Sequence, residues 1–238
     1  MAIADLLAKL VELKNQLVAN LSSMGVTADE SEKLNTLVPK VLKCKADVIW
    51  SQGTVSTEVT SVKIPSGVTS IGIGAFSGCT SLAKITIPNS VTSIGSMAFL
   101  NCSSLASITI PDSVTSIGPR AFFDCTSLAS ITIPDSVTSI GDSAFDGCSS
   151  LSSIAIPNSV TSIGDMAFRG CTSLARITIP DSVTSIGGRT FEGCTSLANI
   201  YYTGTEEQWN AIPKGHAWNS SMGSNVEGGT VVTYNYTG

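Results

Sequence analysis

The chain has 238 residues, a formal net charge of −5 at pH 7, and charged residues at only 13% of its composition. Proteins that bind the phosphate backbone of nucleic acids carry clustered lysine and arginine, so this balance argues against a nucleic-acid partner. No apolar run reaches the length needed to cross a membrane, and the first 25 residues lack the continuous apolar segment of a secretory signal. We therefore expect neither membrane insertion nor signal-directed export.

Residues 1–22 are predicted to form an amphipathic helix, because apolar residues recur at alternating spacings of three and four. A capping box at Thr27 predicts a second helix that runs to about Leu42. Together they define a helical attachment or oligomerisation module, residues 1–43, followed by a linker, residues 44–60. Two interpretations of the first helix stay open, a hairpin packed within the chain or self-association, for example as a trimer. The residues of its seam are Ile3, Leu6, Leu10, Leu13 and Leu17.

A 23-residue unit then repeats six times without insertion, from Pro65 to Tyr202. A fixed period of this length is typical of a solenoid, because one unit cannot bury its own apolar face and must stack on its neighbours. We predict a right-handed solenoid of parallel short strands over residues 61–202. The columns that should form its interior include Phe76, Phe99, Phe122, Phe145, Phe168 and Phe191, and Cys79, Cys102, Cys125, Cys148, Cys171 and Cys194.

Each unit contains two extended segments separated by turns. The pattern Leu-x-x-Ile-x-Ile-Pro predicts a strand with inward isoleucines that ends at proline, and Val-Thr-Ser-Ile-Gly predicts a second. The Ala-Phe pair is predicted to form a single helical turn. The position before each cysteine of the repeat holds Gly, Asn or Asp, which indicates a backbone with positive φ.

The cysteine column predicts a ladder of reduced, buried thiols that act as small apolar side chains. Metal binding would need convergent thiolates such as a C-x-x-C pair, and the sequence has none. His216 is the only histidine, and no phosphate loop, dinucleotide fingerprint or zinc motif is present. We therefore expect no cofactor, no metal and no catalytic activity.

Residues 203–238 depart from the repeat and are predicted to cap the solenoid. Thr205-Glu-Glu-Gln can start a short helix that lays Trp209 and Ile212 across the open end, and residues 230–236 alternate like a closing strand. The aromatic residues of this segment have an alternative interpretation, a platform for binding sugars.

Two surfaces are candidates for recognition. The first is the outward side of the longer strands, which is rich in hydroxyl groups and can hydrogen-bond to a glycan or peptide. Its candidate residues are Lys84, Thr86, Ser107, Thr109, Ser130, Thr132, Arg176, Thr178, Asn199 and Tyr201. The second is an apolar patch beside the Ala-Phe turns of the first coils, where we expect the N-terminal helices or a second copy to pack. Its residues are Ile73, Met97, Leu100 and Phe123.

The unit Leu-x-x-Ile-x-Ile-Pro-x-x-Val-x-x-Ile-Gly-x-x-Ala-Phe-x-x-Cys resembles the BspA-like class of leucine-rich repeats over residues 61–238. This resemblance implies a leucine-rich repeat solenoid and a protein of the bacterial surface that binds protein or adheres, with no catalytic residues. The segments around Leu17, Gly25 and Leu34 resemble the N-terminal helical module of tail-fibre proteins from phages and prophages of Gram-positive bacteria. The resemblances together imply a phage or prophage tail component, found in the virion, that binds a protein or glycan on a cell surface. The alternative is a bacterial cell-surface adhesin that binds host protein.

Overall fold

The computed structural model describes residues 59–223 and 229–237. These residues form a parallel β-solenoid of about six turns with little helix. The predicted helical module, residues 1–43 with Ile3, Leu6, Leu10, Leu13 and Leu17, lies outside the described residues, as does most of the linker.

Each turn carries one longer strand and one strand of two residues. The longer strands are β1 (Ser61–Lys63), β3 (Lys84–Thr86), β5 (Ser107–Thr109), β7 (Ser130–Thr132), β9 (Ser153–Ala155), β11 (Arg176–Ile179) and β13 (Asn199–Tyr202). The two-residue strands are β2 (Ser70–Ile71), β4 (Ser93–Ile94), β6 (Ser116–Ile117), β8 (Ser139–Ile140), β10 (Ser162–Ile163) and β12 (Ser185–Ile186). Helix α1 (Glu206–Ala211) and strand β14 (Val231–Thr233) follow.

All strand pairs are parallel and join equivalent positions of successive coils. The two-residue strands make one six-stranded sheet, β2 to β12 in order. The longer strands pair as β1–β3, β5–β7 and β9–β11–β13–β14, and β3 lies beside β5 as β7 lies beside β9. Because the register repeats from coil to coil, one column of the sequence becomes one line of side chains along the solenoid.

A column of stacked phenyl rings runs through the core, as predicted. Rings of neighbouring coils lie 5.2–5.7 Å apart between centroids and within 7° of parallel. The six phenylalanines and the six cysteines of these two columns are fully buried. The Sγ atoms from Cys102 to Cys194 donate to the phenylalanine carbonyl of the preceding coil at 3.0–3.2 Å. The thiols are therefore weak hydrogen-bond donors as well as small apolar groups.

The Ala-Phe segment does not form the helical turn that the sequence predicts. In the first coil, the amides of Gly74, Phe76 and Gly78 donate to carbonyls of the next coil at 2.7–2.9 Å, while the amides between them close tight turns within the coil. The residue before each cysteine from Cys79 to Cys194 has φ between 53° and 74°, as expected. A second column, which begins at Gly74 and includes Met97 and Arg120, has φ between 53° and 64°. Two left-handed residues per segment prevent a helix and turn alternate amides toward the next coil.

The glycine after each two-residue strand allows the coils to approach closely. A Cβ atom at Gly118 would lie 2.6 Å from the amide nitrogen of Ser96 and 2.8 Å from the carbonyl carbon of Gly95. The same conflict with the preceding coil recurs at Gly95, Gly141, Gly164 and Gly187. Close approach between the coils therefore accounts for glycine in this column.

The C-terminal segment closes the core as predicted. Thr205 and Gln208 form a reciprocal capping box at the start of α1, which buries Trp209 against Tyr202, with ring centroids 5.2 Å apart. Trp218 meets the last phenyl ring of the column edge-on at 6.3 Å. The ammonium group of Lys214 lies 4.5 Å from the centroid of Trp209 and donates to the carbonyl of that residue, and burial lowers its pKa. The cap is therefore an aromatic cluster with a lysine ammonium group packed against its rings.

Candidate recognition surfaces

The ten candidate residues of the longer strands share one side of the solenoid, which we call the strand face. Seven of them are exposed, while Thr178, Asn199 and Tyr201 are partly buried. Equivalent residues pair across coils, for example Ser107 with Ser130 and Thr109 with Thr132. Since neighbouring strands in a sheet are about 4.8 Å apart, the strand face presents hydroxyl groups at that interval.

The hydroxyl groups of the strand face differ from the other hydroxyl columns in their bonding. The serines that follow Pro-Asn or Pro-Asp donate to a valine carbonyl of the preceding coil at 2.5–2.8 Å. Four of the threonines that follow a valine donate to the threonine carbonyl of the preceding coil at 3.0–3.4 Å: Thr92, Thr115, Thr161 and Thr184. In contrast, within the described part of the chain, the strand-face hydroxyls make no hydrogen bond: Thr86, Ser107, Thr109, Ser130, Thr132 and Thr178. Their donors and acceptors are available to a ligand.

Positive charge lies toward both ends of the strand face. Lys84 and Arg176 were expected there, and both are exposed. Lys63 was not among the candidates, although it is exposed and pairs with Thr86 across the first two coils. The repeat does indicate that Lys63 lies on the strand face, because Val62-Lys-Ile64 aligns with Ile85-Thr-Ile87 one period later.

Two tyrosines form a stack at the C-terminal end of the strand face. The rings of Tyr201 and Tyr236 lie 4.3 Å apart between centroids at an angle of 27°, and both are partly buried. A depression of 470 Å³ adjoins this stack, lined by Asn158, Thr178, Asp181, Thr203, Tyr236 and Thr237. Within the C-terminal segment, Trp209 is thus buried in the cap, whereas Tyr236 is partly buried and stacks on Tyr201 of the last coil.

The apolar patch is spread over three columns of the turn region. Ile73 is 72% exposed, whereas Met97, Leu100 and Phe123 are partly buried. Leu100 and Phe123 occupy the same column in successive coils, and the amide of Asn101 donates to the carbonyl of Phe123 at 2.8 Å. The N-terminal helices expected to cover this patch lie outside the described residues, so their docking stays a prediction.

An ion pair with a buried carboxylate follows Phe123 in the same column. Asp146 is 3% exposed, and its Oδ1 accepts a hydrogen bond of 3.1 Å from Nε of Arg169. Burial raises the pKa of Asp146, and the hydrogen bond from Arg169 opposes that rise. Since removing one partner would leave a buried charge, we interpret this pair as a structural link between two coils.

The thiols of the cysteine column are poorly reactive near neutral pH. Burial raises the pKa of the cysteines, to about 12 for Cys194, so the thiols stay protonated near neutral pH. A protonated thiol is a poor nucleophile and a poor metal ligand. Among residues 59–223 and 229–237, no group of three or more His, Cys, Asp or Glu side chains is placed to hold a metal ion.

Helices long and apolar enough to span a membrane are absent from the described ranges.

Comparison with known proteins gives a consistent fold assignment. The sequence profile described as BspA type Leucine rich repeat region matches in six copies, over residues 54–154 and 115–213. The chain is similar to the crystal structure of a leucine-rich repeat protein from T. pallidum, with 34% identity and a TM-score of 0.63. That match covers 70% of this chain and 78% of the T. pallidum chain. No curated protein matches the sequence.

Two further crystal structures are similar over part of their length. A leucine rich cell surface protein from Faecalibacterium prausnitzii A2-165 is 32% identical, with 66% of this chain and 63% of that chain covered and a TM-score of 0.45. A leucine-rich repeat protein from Bacteroides ovatus ATCC 8483 is 31% identical, with 74% and 55% covered and a TM-score of 0.47. The chain thus spans less than two thirds of each of these two proteins.

Proposed function

Because the chain belongs to the family of BspA-type leucine-rich repeat proteins, we propose that it is a non-catalytic recognition protein. The strand face is its binding surface, and the partner is a protein or glycan on a cell surface. The observation that carries this proposal is the set of unbonded hydroxyls on the strand face, beside columns whose hydroxyls hold the coils together.

The strand-face hydroxyls can form hydrogen bonds with a ligand. A ligand that satisfies such hydroxyls gains about 0.5–1.5 kcal/mol for each bond, after the loss of water is counted. One such bond is weak, but the solenoid repeats the same pair of outward positions along successive coils. A polymer with regularly spaced polar groups can therefore add contacts along the strand face, with Lys63, Lys84 and Arg176 favouring acidic groups toward its ends.

Two settings fit this activity. The resemblance of the N-terminal segments to tail-fibre modules supports a phage or prophage tail component, in which Ile3, Leu6, Leu10, Leu13 and Leu17 form the contact between copies. Membership of the BspA-type family supports a bacterial adhesin for host protein. Labelled protein that binds Gram-positive cells but not immobilised host matrix proteins favours the first setting, and the reverse favours the second.

The assembly proposed for the tail setting has its own test. Sedimentation of the full chain should give a trimer, and the double variant Leu10→Glu with Leu13→Glu should sediment as a monomer, because charges in an apolar seam oppose association. A wild-type monomer would contradict the role of these residues in self-association.

The strand face is tested by placing arginine at its centre. Thr109→Arg with Thr132→Arg puts two long, charged side chains in the middle of the hydroxyl ladder. The matched control, Thr115→Arg with Thr138→Arg, changes the same residue type in the same two coils on another side of the solenoid. We expect the first variant to weaken binding to the responsive cells or matrix protein by about tenfold or more, and the control by less than about twofold. Equal loss in both variants would refute the strand face as the binding surface.

A further inference from the structure

The depression at the C-terminal end of the strand face has the features of a small, separate site. Its volume is 470 Å³, and five of the six lining residues are Asn, Asp or Thr. We infer that this depression binds a neutral saccharide, with the ring of Tyr236 against the C–H face of the sugar. The inference deepens the proposed function, on which it rests, by naming a ligand class for this end of the strand face.

The ring of Tyr236 is held in place before any ligand arrives. The backbone amides of Asn235 and Tyr236 donate to the carbonyls of Gly204 and Tyr202 at 2.9 and 3.1 Å. The ring also stacks on Tyr201. A side chain fixed in this way loses little conformational entropy when it binds, so more of the contact energy appears as affinity.

The need to close the core does not explain this tyrosine pair. Tyr202 and Trp209 are at most 4% exposed and pack on one another within the cap. Tyr201 instead belongs to an outward column, where it pairs with Thr178 of the preceding coil, and Tyr236 lies over it. The pair therefore extends the strand face and does not contribute to the seal.

The polar groups around Tyr236 supply both kinds of hydrogen-bonding partner. Within the described ranges, the side chains of Asn158, Thr178 and Asp181 make no hydrogen bond. Thr203 accepts from the amide of Asp181 through Oγ1 at 2.8 Å, and its own hydroxyl proton stays available. Each sugar hydroxyl both donates and accepts, so an amide, a carboxylate and hydroxyls beside one aromatic face match its needs.

The charge and the side-chain types of the lining limit the class of ligand that the depression can bind. Asp181 is the only charged side chain among the described residues that line the depression, and its carboxylate disfavours phosphates, sulfates and acidic sugars. The lining contains no aliphatic side chain, so it lacks the apolar well that anchors a peptide side chain. A neutral saccharide meets both conditions.

The test uses the full chain and a panel of neutral sugars, the methyl glycosides of glucose, galactose, mannose and N-acetylglucosamine with cellobiose, lactose and chitobiose. Saturation-transfer NMR should detect at least one of them on the unaltered protein. Tyr236→Ala should weaken that binding by about tenfold, whereas Tyr236→Phe keeps the aromatic face and the binding. Asp181→Asn should also weaken it, and Asp135→Asn, in the same column two coils earlier, is the matched control that should not.

The outcomes of this experiment support or overturn the saccharide site. Binding by no sugar of the panel, or binding unchanged in Tyr236→Ala, would overturn it. Binding of a peptide that is lost in Tyr236→Ala, with no sugar bound, would overturn it in favour of a peptide site. If circular dichroism shows that Tyr236→Ala is unfolded, the comparison of Asp181→Asn with Asp135→Asn decides. Cell binding that is lost with arginine at Thr109 and Thr132, in a protein that binds no sugar, would leave the proposed function standing without this site.

Discussion

Replacing Phe122 by alanine removes a ring from the middle of the phenyl column. Phe122 is fully buried, with the rings of Phe99 and Phe145 at 5.2 and 5.4 Å. A buried Phe→Ala change costs about 3–5 kcal/mol through lost transfer energy and the cavity that remains. Two aromatic contacts are lost at once, each worth about 0.5–1.5 kcal/mol beyond burial. We therefore expect Phe122→Ala to lower the free energy of unfolding by about 4–5 kcal/mol, near the upper end of the range for buried Phe→Ala changes.

The free energy of unfolding is measured by urea titration with two probes. Far-UV circular dichroism follows all coils. The fluorescence of Trp209 and Trp218 follows the cap when it is recorded with the third tryptophan, Trp50, replaced by phenylalanine in every variant. Because each coil of a solenoid contacts only its neighbours, weakening a central coil should uncouple the two halves, and the two probes should then give different midpoints.

The matched control is Phe123→Ala, the adjacent residue, which is only partly buried. We expect it to cost about 1 kcal/mol, since its ring is already partly exposed and lies outside the phenyl column. A loss of less than about 1.5 kcal/mol for Phe122→Ala, or a loss no larger than that of Phe123→Ala, would refute the continuous phenyl column as the main support of the fold.

Three further predictions concern stability. Gly118→Ala should destabilise by about 1–3 kcal/mol, because its Cβ would overlap the backbone of the preceding coil, whereas Gly67→Ala, with no atom within 4 Å, should be near neutral; equal urea midpoints would contradict this. Raising the pH above about 9 should lower stability, since an unfolded thiol ionises near 8.5 while burial raises the pKa of folded Cys194 to about 12. The stabilisation from the protonated thiol is complete below the unfolded pKa and is lost as the pH rises toward the folded pKa. A urea midpoint that is no lower at pH 11 than at pH 8 would contradict this prediction. Trp209→Ala should cost about 3–5 kcal/mol by opening the end of the core, and a thermal melt like that of the unaltered protein would show that the cap is not needed.

The fold could be predicted because its main determinant is a period that is visible in the sequence. The phenylalanine column and the Gly, Asn or Asp column before each cysteine specify a core position and a left-handed backbone by residue type alone. The second left-handed column was hidden, because it holds Met97, Arg120 and Ser143, which do not signal positive φ. Without it, the Ala-Phe segment looked helical.

The recognition surface was only partly predictable. Alternation placed Thr109 and Thr132 on the outside of their strands, and register brought them together. Residue type could not distinguish these hydroxyls from that of Thr115, which bonds to the preceding coil. Nor could it place Tyr236 over Tyr201, because that contact joins residues separated by the cap.

Arginine labelling of the bound protein tests the role of the strand face most directly, because the unaltered chain contains its own controls. Arg176 lies on the strand face, whereas Arg120 and Arg189 lie in the turn column, and all three are exposed in the free protein. The full chain is treated with an arginine-specific dicarbonyl, free and bound to the cells or matrix protein that it recognises, and modification is read by mass spectrometry. We expect binding to protect Arg176 and to leave Arg120 and Arg189 reactive. Protection of Arg120 and Arg189 with Arg176 still reactive would place recognition on the turn side and contradict the account.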